Sequence, residues 1–309
     1  MKRFKNILFV ADREDGLGVA LDRAVALAGS NGARLTVMDV VPEIGIADYI
    51  KRTYSVDLNA QLGSQRLEFL EGLTKSYADS GVPIYTTVAC GTPFIEVVRA
   101  VRRNHHDLVI KVAQHDAGLP GPLFGSTDMH LLRKCPCPVW IDRPGQQPVY
   151  HRILAAVDPF DDESGDLQRL ILDLATSLTA REHAELEVVH TWRLPGESML
   201  ANGRGRIPLD ELTQLLDATE TKHRRALDDL LSGYGLSSDA KGVHLSKGRA
   251  AQVISDLSRE RQIDLIVMGT LGRAGIAGLF IGNTAEDVLR ETGTAVLAVK
   301  PPGFRTPIT

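Results

Sequence analysis

Residues 268–289 read "MGTLGRAGIAGLFIGNTAEDVL", with five glycines in 22 positions. They follow an apolar run, "IDLIVM", and lead into "NTAEDVLRET", which has helix-forming composition. A glycine-rich connection from a strand into a helix suits phosphate. The first N–H groups of a helix are unpaired and sit at the positive end of its dipole. Gly269 and Gly272, beside Met268, would let the backbone approach a ligand closely. Arg273 adds a mobile positive charge. Gly282 opens the helix, and Asn283 and Thr284 could cap it or donate to phosphate oxygens. The spacing is Gly-x2-Gly-x9-Gly-Asn. It is neither a Walker A loop, which needs a Lys-Ser/Thr pair, nor Gly-x-Gly-x-x-Gly.

Other chemistry-bearing residues are weaker candidates. His105, His106 and Asp107 are consecutive, so on a helix they diverge and make a poor metal site. Cys135 and Cys137, in "CPC", lack further ligands, and a buried, reduced pair is expected. Asp128 and His130 are two apart and point to different helix faces. No Ser/His/Asp set suggests nucleophilic catalysis. "KHRR", Lys222–Arg225, is followed by "DD" and reads as a solvated helix face.

The elements that must position the loop alternate. In the second half, "ILAAV" is a strand. "SGDLQRLILDLATSLTAREH" then carries Leu167, Leu170, Ile171, Leu174 and Leu178 on one helical face. "LEVVHTW" and "KGVHLSKG" are strands around a long amphipathic helix that starts with Pro and stops at Gly. The helix "RAAQVISDLSRERQ" and the strand "DLIVMG" follow. After the loop and its helix, "AVLAVKP" is the last strand. Strands alternating with helices predict an α/β domain with a doubly wound, mostly parallel five-stranded sheet covered on both faces. Such sheets bind ligands beyond the carboxyl ends of their strands.

The chain says this twice. "KNILFVAD" (Lys5–Asp12) resembles "HRILAAVD" (His151–Asp158), and from Gly91 onward the halves run at a constant offset. Gly91 matches Gly248, Asp107 matches Asp264, Gly125 matches Gly282, and Pro144 matches Pro301. The pattern is a duplicated domain, residues 1–146 and 147–309, joined through the Pro- and Gly-containing stretch Asp142–Tyr150. The first copy of the loop is damaged. Val112 and His115 stand where Gly269 and Gly272 stand in the second copy. A β-branched Val112 resists the φ values that glycine allows, and His115 would fill the phosphate space.

Composition agrees with two domains. The chain has 309 residues, 43% apolar and 24% charged, the balance of a globular protein. A formal charge of −4 argues against a nucleic-acid partner. No apolar run has transmembrane length, so no stable membrane insertion is expected. Three cysteines make no disulfide framework. A cytoplasmic protein is expected.

The loop spacing, together with the Asp158-ending first strand, resembles the nucleotide loop of the universal stress protein family. "STDMHLLRKCPCPVW" (Ser126–Trp140) and the ending "AVKPPGF" resemble its tandem, E-type branch. The resemblance covers both halves. It implies ATP between the first and fourth strands of a domain, with Mg²⁺ arriving on the nucleotide. Ala156, Asp158 and Thr191 would lie at the adenine. Gly269 and Gly272 would meet ribose and phosphates, and Gly282, Asn283 and Thr284 the phosphate at the helix N-terminus. Two positions depart from the family: Ala156 replaces a proline-like residue, and Asn283 replaces Ser or Thr. The first half is expected to be defective for ATP, although Asp12, Ser126 and Thr127 remain. If the resemblance holds, the last strands, "VWIDRP" and "VLAVKP", lie where such domains pair, giving an internal pseudo-dimer, with a homodimer a further option.

The expected function is stress-response binding of a small-molecule ligand, an adenine nucleotide in the second half, with slow or no hydrolysis. The alternative is a non-nucleotide module whose uncharged "AGIAGLFI" holds an apolar or lipid-like metabolite or a protein partner.

Overall fold

The computed structural model describes residues 3–12, 16–114, 124–145, 147–160, 165–203, 205–270 and 282–309. Each half repeats one succession of strands and helices. The first half runs β1 (Asn6–Val10), α1 (Leu17–Asn31), β2 (Arg34–Val41), α2 (Ala47–Tyr54), α3 (Leu58–Lys75), β3 (Ile84–Cys90), α4 (Pro93–Asn104), β4 (Leu108–Val112), α5 (Ser126–Lys134) and β5 (Val139–Asp142). The second runs β6 (Arg152–Ala156), α6 (Asp166–Glu182), β7 (Glu185–Trp192), α7 (Glu197–Asn202), α8 (Leu209–Leu231), β8 (Val243–Lys247), α9 (Ala250–Glu260), β9 (Leu265–Gly269), α10 (Asn283–Glu291) and β10 (Ala295–Val299).

The two expected five-stranded sheets are joined into one sheet of ten strands, in the order β3-β2-β1-β4-β5-β10-β9-β6-β7-β8. Within each half every pairing is parallel. The halves meet where β5 and β10 pair antiparallel, with Trp140 opposite Leu297. These are the two last strands, as the resemblance implied. Because β1, β4, β5 and β10 are buried at every position, the sheet is covered on both faces. One face packs α1 and α6, with Leu21, Leu27, Ile171 and Leu178 in its core. The other packs α4, α5, α9 and α10, with Val97, Leu131, Ile254 and Val288.

Matching residues anchor matching strands. Asp107 accepts the N–H groups of Lys5 and Asn6 at the start of β1, and Asp264 accepts those of His151 and Arg152 at the start of β6. The histidine pair lies just past the end of α4 rather than on a helix, as was expected. His105 ends α4 in a left-handed conformation, φ 56°, and His106 is buried. No group of metal-ligating side chains occurs among the described residues.

The connection between the halves is pinned. Arg23 on α1 forms a buried ion pair with Asp142. Its other nitrogen donates to the Gln147 and Pro148 carbonyls. Tyr150 donates to Asp142 at 3.1 Å and accepts from the Trp140 indole at 3.2 Å. On the far side of the seam, Lys300 donates to the Leu132 and Arg133 carbonyls at the end of α5. Among the described residues, no helix is long and apolar enough to cross a membrane.

Candidate functional site

Beyond the carboxyl ends of β6 and β9 the structure brings most of the expected residues together. Ala156 pairs with Met268 across β6 and β9, and with Val189 across β6 and β7. Asp158 follows two residues later. Its carboxylate accepts the Phe160 N–H at 3.1 Å, and its own N–H donates to Gln168 at 2.9 Å. Thr191 is partly buried near the end of β7. Gly269 ends β9 and Gly282 precedes α10. Gly272, Arg273 and the uncharged run 274–281 lie outside the described residues.

The loop's two ends are tied at one point. The Gly282 N–H donates to Thr270 O at 2.8 Å, and the Thr270 N–H donates to Val299 O at 3.1 Å. Gly282 occupies the cap position of α10 and itself has no side chain to cap it. The helix begins at Asn283, one residue after the cap position; the side chains of Asn283 and Thr284, expected to cap it, lie outside what the structure describes.

Gly269 is small for a reason that the spacing does not reveal. It lies in a strand and is not among the described glycines with positive φ. Unusual φ therefore does not distinguish it from Val112. A Cβ there would lie 3.1 Å from Leu167 and 3.7 Å from Ile171. Its missing side chain admits α6, on the sheet face opposite α10. In the first half, Gly16, the cap residue before α1, is left-handed with φ 73°, and an added Cβ there would lie 3.2 Å from Pro144 and at ordinary contact distance, 3.5 Å, from Val112.

The first half contains something the sequence comparison missed. Lys111, fully buried, lies 2.9 Å from Asp12 and 2.9 Å from Asp128. It also donates to Val112 O. Gln114 bridges to Asp12 at 2.9 Å. The second Asp128 oxygen accepts the N–H groups of Gln114 and Gly125 at 2.8 and 3.0 Å. A carboxylate therefore sits at the N-terminus of α5, where an anion is favoured, with an ammonium group behind it. Burial raises the Asp12 pKa; Lys111 opposes the rise, and Asp128 and Asp39 add to it. At the same offset the second half has Met268 for Lys111 and Ala285 for Asp128. Both are buried against the same core. The signal was present as a lysine inside the apolar run "DLVIKVA", but its two partners lie far off in sequence.

A second cluster was also missed. His190 on β7 and His223 on α8 lie 2.7 Å apart, Nε2 to Nδ1, and His190 Nδ1 lies 3.1 Å from Val157 O. A carbonyl only accepts, so His190 carries its proton on Nδ1. In the neutral pair its Nε2 then accepts from His223 Nδ1. Phe160 meets the His223 ring edge-on at 4.7 Å, and Lys222 lies over Phe160. "KHRR" is thus a solvated face only in part, because His223 turns inward. These residues brace the segment that carries Asp158 from the α8 side.

The profile of the family described as "Universal stress protein family" matches twice, over residues 3–143 and 149–300. The chain belongs to the universal stress protein family. It is 29% identical to Universal stress protein E of Escherichia coli K12, covering 100% of this chain and 98% of that one. It is 27% identical to the protein of the same name from Photorhabdus laumondii, with the same coverage. Among solved structures, a functionally unknown protein of Pseudomonas aeruginosa PAO1 matches with TM-score 0.75 and 24% identity, over 97% of this chain and 94% of that one. A universal stress protein of Archaeoglobus fulgidus matches with TM-score 0.67 and 16% identity, over 96% and 99%. Both share the tandem α/β fold across the length of this universal stress protein.

Proposed function

We propose that this protein binds an adenine nucleotide, as ATP with Mg²⁺, in its second half only, as a stress-response binding protein. The exchange of the Lys111–Asp128 pair for Met268 and Ala285 carries this reading. At α5 the chain supplies its own anion to the helix N-terminus. At α10 the cap residue is a glycine, with no carboxylate three residues on. That arrangement fits a phosphate. Ala156, Asp158, Thr191 and Met268 would hold the adenine end. Gly269, Gly272 and Arg273 would meet the ribose and phosphates, and the backbone of Gly282, Asn283 and Thr284 the phosphate at the helix start. Mg²⁺ neutralises phosphate charge on the bound nucleotide. Any hydrolysis is slow and incidental, since no residue is assigned as general base.

Calorimetric titration with ATP–Mg²⁺, and mass spectrometry of what the denatured protein releases, test this. Heat or carried nucleotide is expected from the unaltered chain. Gly272→Val is expected to abolish it, and a change at His115 to leave it intact. The double change Met268→Lys with Ala285→Asp rebuilds the first half's arrangement around Asp158. It is expected to abolish binding while a thermal melt still shows a folded protein. Neither heat nor carried nucleotide from the unaltered chain overturns the reading.

One observation favours the alternative of an apolar metabolite or protein partner. Met199 and Leu209, on α7 and α8, are 68% and 78% exposed. An apolar compound in the mass spectrum, with no heat from ATP, would support that alternative.

A further inference from the structure

Cys135 and Cys137 flank Pro136 between the end of α5 and the start of β5. Cys135 is fully buried, Cys137 is 8% exposed, and both are free thiols. Their sulfurs lie 3.6 Å apart, in contact and already aimed at each other. Lys300 reaches the same helix end from the second half. Its ammonium is held on the Leu132 and Arg133 carbonyls, one turn before Cys135. A buried cation beside two touching thiols is more than packing requires. The second half has Thr292 and Thr294 at the matching positions and packs there without sulfur.

We propose that Cys135 and Cys137 are an oxidisable dithiol, closed to a disulfide by hydroperoxides, and that Lys300 supplies the positive charge that activates it from across the β5–β10 seam. Burial by itself would raise the Cys135 thiol. The hydrogen bond from Cys137 and the charge of Lys300 outweigh it, and Cys135 is held below the usual thiol range. Cys137 is pushed up by that same hydrogen bond and by burial, so it keeps its proton. The two thiols are thus unequal, with Cys135 the more acidic and Cys137 the one that holds its proton more tightly, the asymmetry that stepwise oxidation uses.

The chemistry balances with one peroxide. The Cys135 thiolate attacks the O–O bond. A sulfur–oxygen bond forms, the O–O bond breaks, and hydroxide leaves and takes up a proton to become water. Cys137 sulfur then attacks the Cys135 sulfenic acid. The S–S bond forms, the S–O bond breaks, and the Cys137 proton leaves with the hydroxide as a second water. Two thiols lose two electrons and the peroxide gains them. Hydrogen peroxide is little larger than water, and it must reach the fully buried Cys135 past Cys137, which is 8% exposed.

The test uses the full chain with Cys90→Ser, which removes the exposed thiol. The folded protein is treated with hydrogen peroxide, denatured, alkylated and weighed. Loss of two hydrogens, with both cysteines protected from alkylation and recovered after dithiothreitol, is expected. Adding Cys137→Ser is expected to trap Cys135 as a sulfenic acid that dimedone labels. Lys300→Gln is expected to slow closure about tenfold, and Lys300→Arg, which restores the charge, to recover part of the rate. The proposal is overturned if both thiols remain alkylatable at a peroxide dose that closes the pair in the denatured chain, or if they gain oxygen without joining. Equal rates in the Gln and Arg variants overturn the part assigned to Lys300.

Discussion

His106 shows what a single position can report. It is buried, and among the described residues neither ring nitrogen makes a well-formed hydrogen bond. Its match in the second half is Ile263, also buried. Desolvation lowers its pKa from 6.5, with the Arg34 charge helping and Asn6 and Asp107 opposing. The unfolded chain therefore binds a proton here that the folded chain refuses. This cost is absent above the unfolded value and grows as the pH falls from there towards the depressed folded value. His106→Ile is expected to raise stability by about 1–3 kcal/mol near neutral pH. It is also expected to flatten the loss of stability between pH ~7 and ~5. Urea melts of both proteins across that range check this, and parallel pH curves would count against it. At the residue scale the sequence could be read only in part. The placement of Asp158 just past β6 and of Gly282 at the start of α10, and the apolar faces, were visible because these signals are local or periodic. The Asp12–Lys111–Asp128 cluster was not, because an ion pair across three elements leaves no spacing pattern.

At the scale of elements, a glycine and a helix are matched. Gly269 on β9 leaves room for Leu167 on α6, from which an added Cβ would lie 3.1 Å away. Gly269→Val is expected to force those atoms apart and to cost about 1–3 kcal/mol. Leu167→Ala, destabilising alone, is expected to recover part of that cost in the double variant. A thermodynamic cycle over the four proteins measures the coupling, and simple additivity would argue against the contact. The strand–helix alternation was legible because 3.6-residue and continuous apolar patterns survive in both copies. Two short helices, α2 and α7, were not foreseen. Neither has a residue pattern long enough to carry a helical period, and each follows a strand where only a connection was expected. The joining of two sheets into one could be anticipated only through family resemblance, because β5 and β10 read like any buried strand.

At the scale of the whole molecule, the halves are held by a seam and a tied connection. Arg23, Asp142 and Tyr150 bind the stretch between the halves to α1. Removing one member of a buried ion pair leaves the other charge uncompensated. Arg23→Met is expected to cost about 3–5 kcal/mol. Because the connection is tied there, the variant is also expected to become more sensitive to limited proteolysis at residues 143–149. Urea denaturation and mapping of the cleavage site check both; a loss of stability without new cleavage would separate the ion pair from the connection.

The antiparallel pairing of β5 with β10 also has a consequence for assembly. The first half's strands run opposite to the second half's, so the carboxyl ends of the two copies face opposite edges of the sheet. Two working copies would make a two-headed object, able to be read from both edges and to string neighbours together. Here one edge carries its own neutralising charges. If the second half alone binds ligand, as proposed, the molecule has one working head, and an isologous contact between copies through that side would close at a pair rather than grow into a filament.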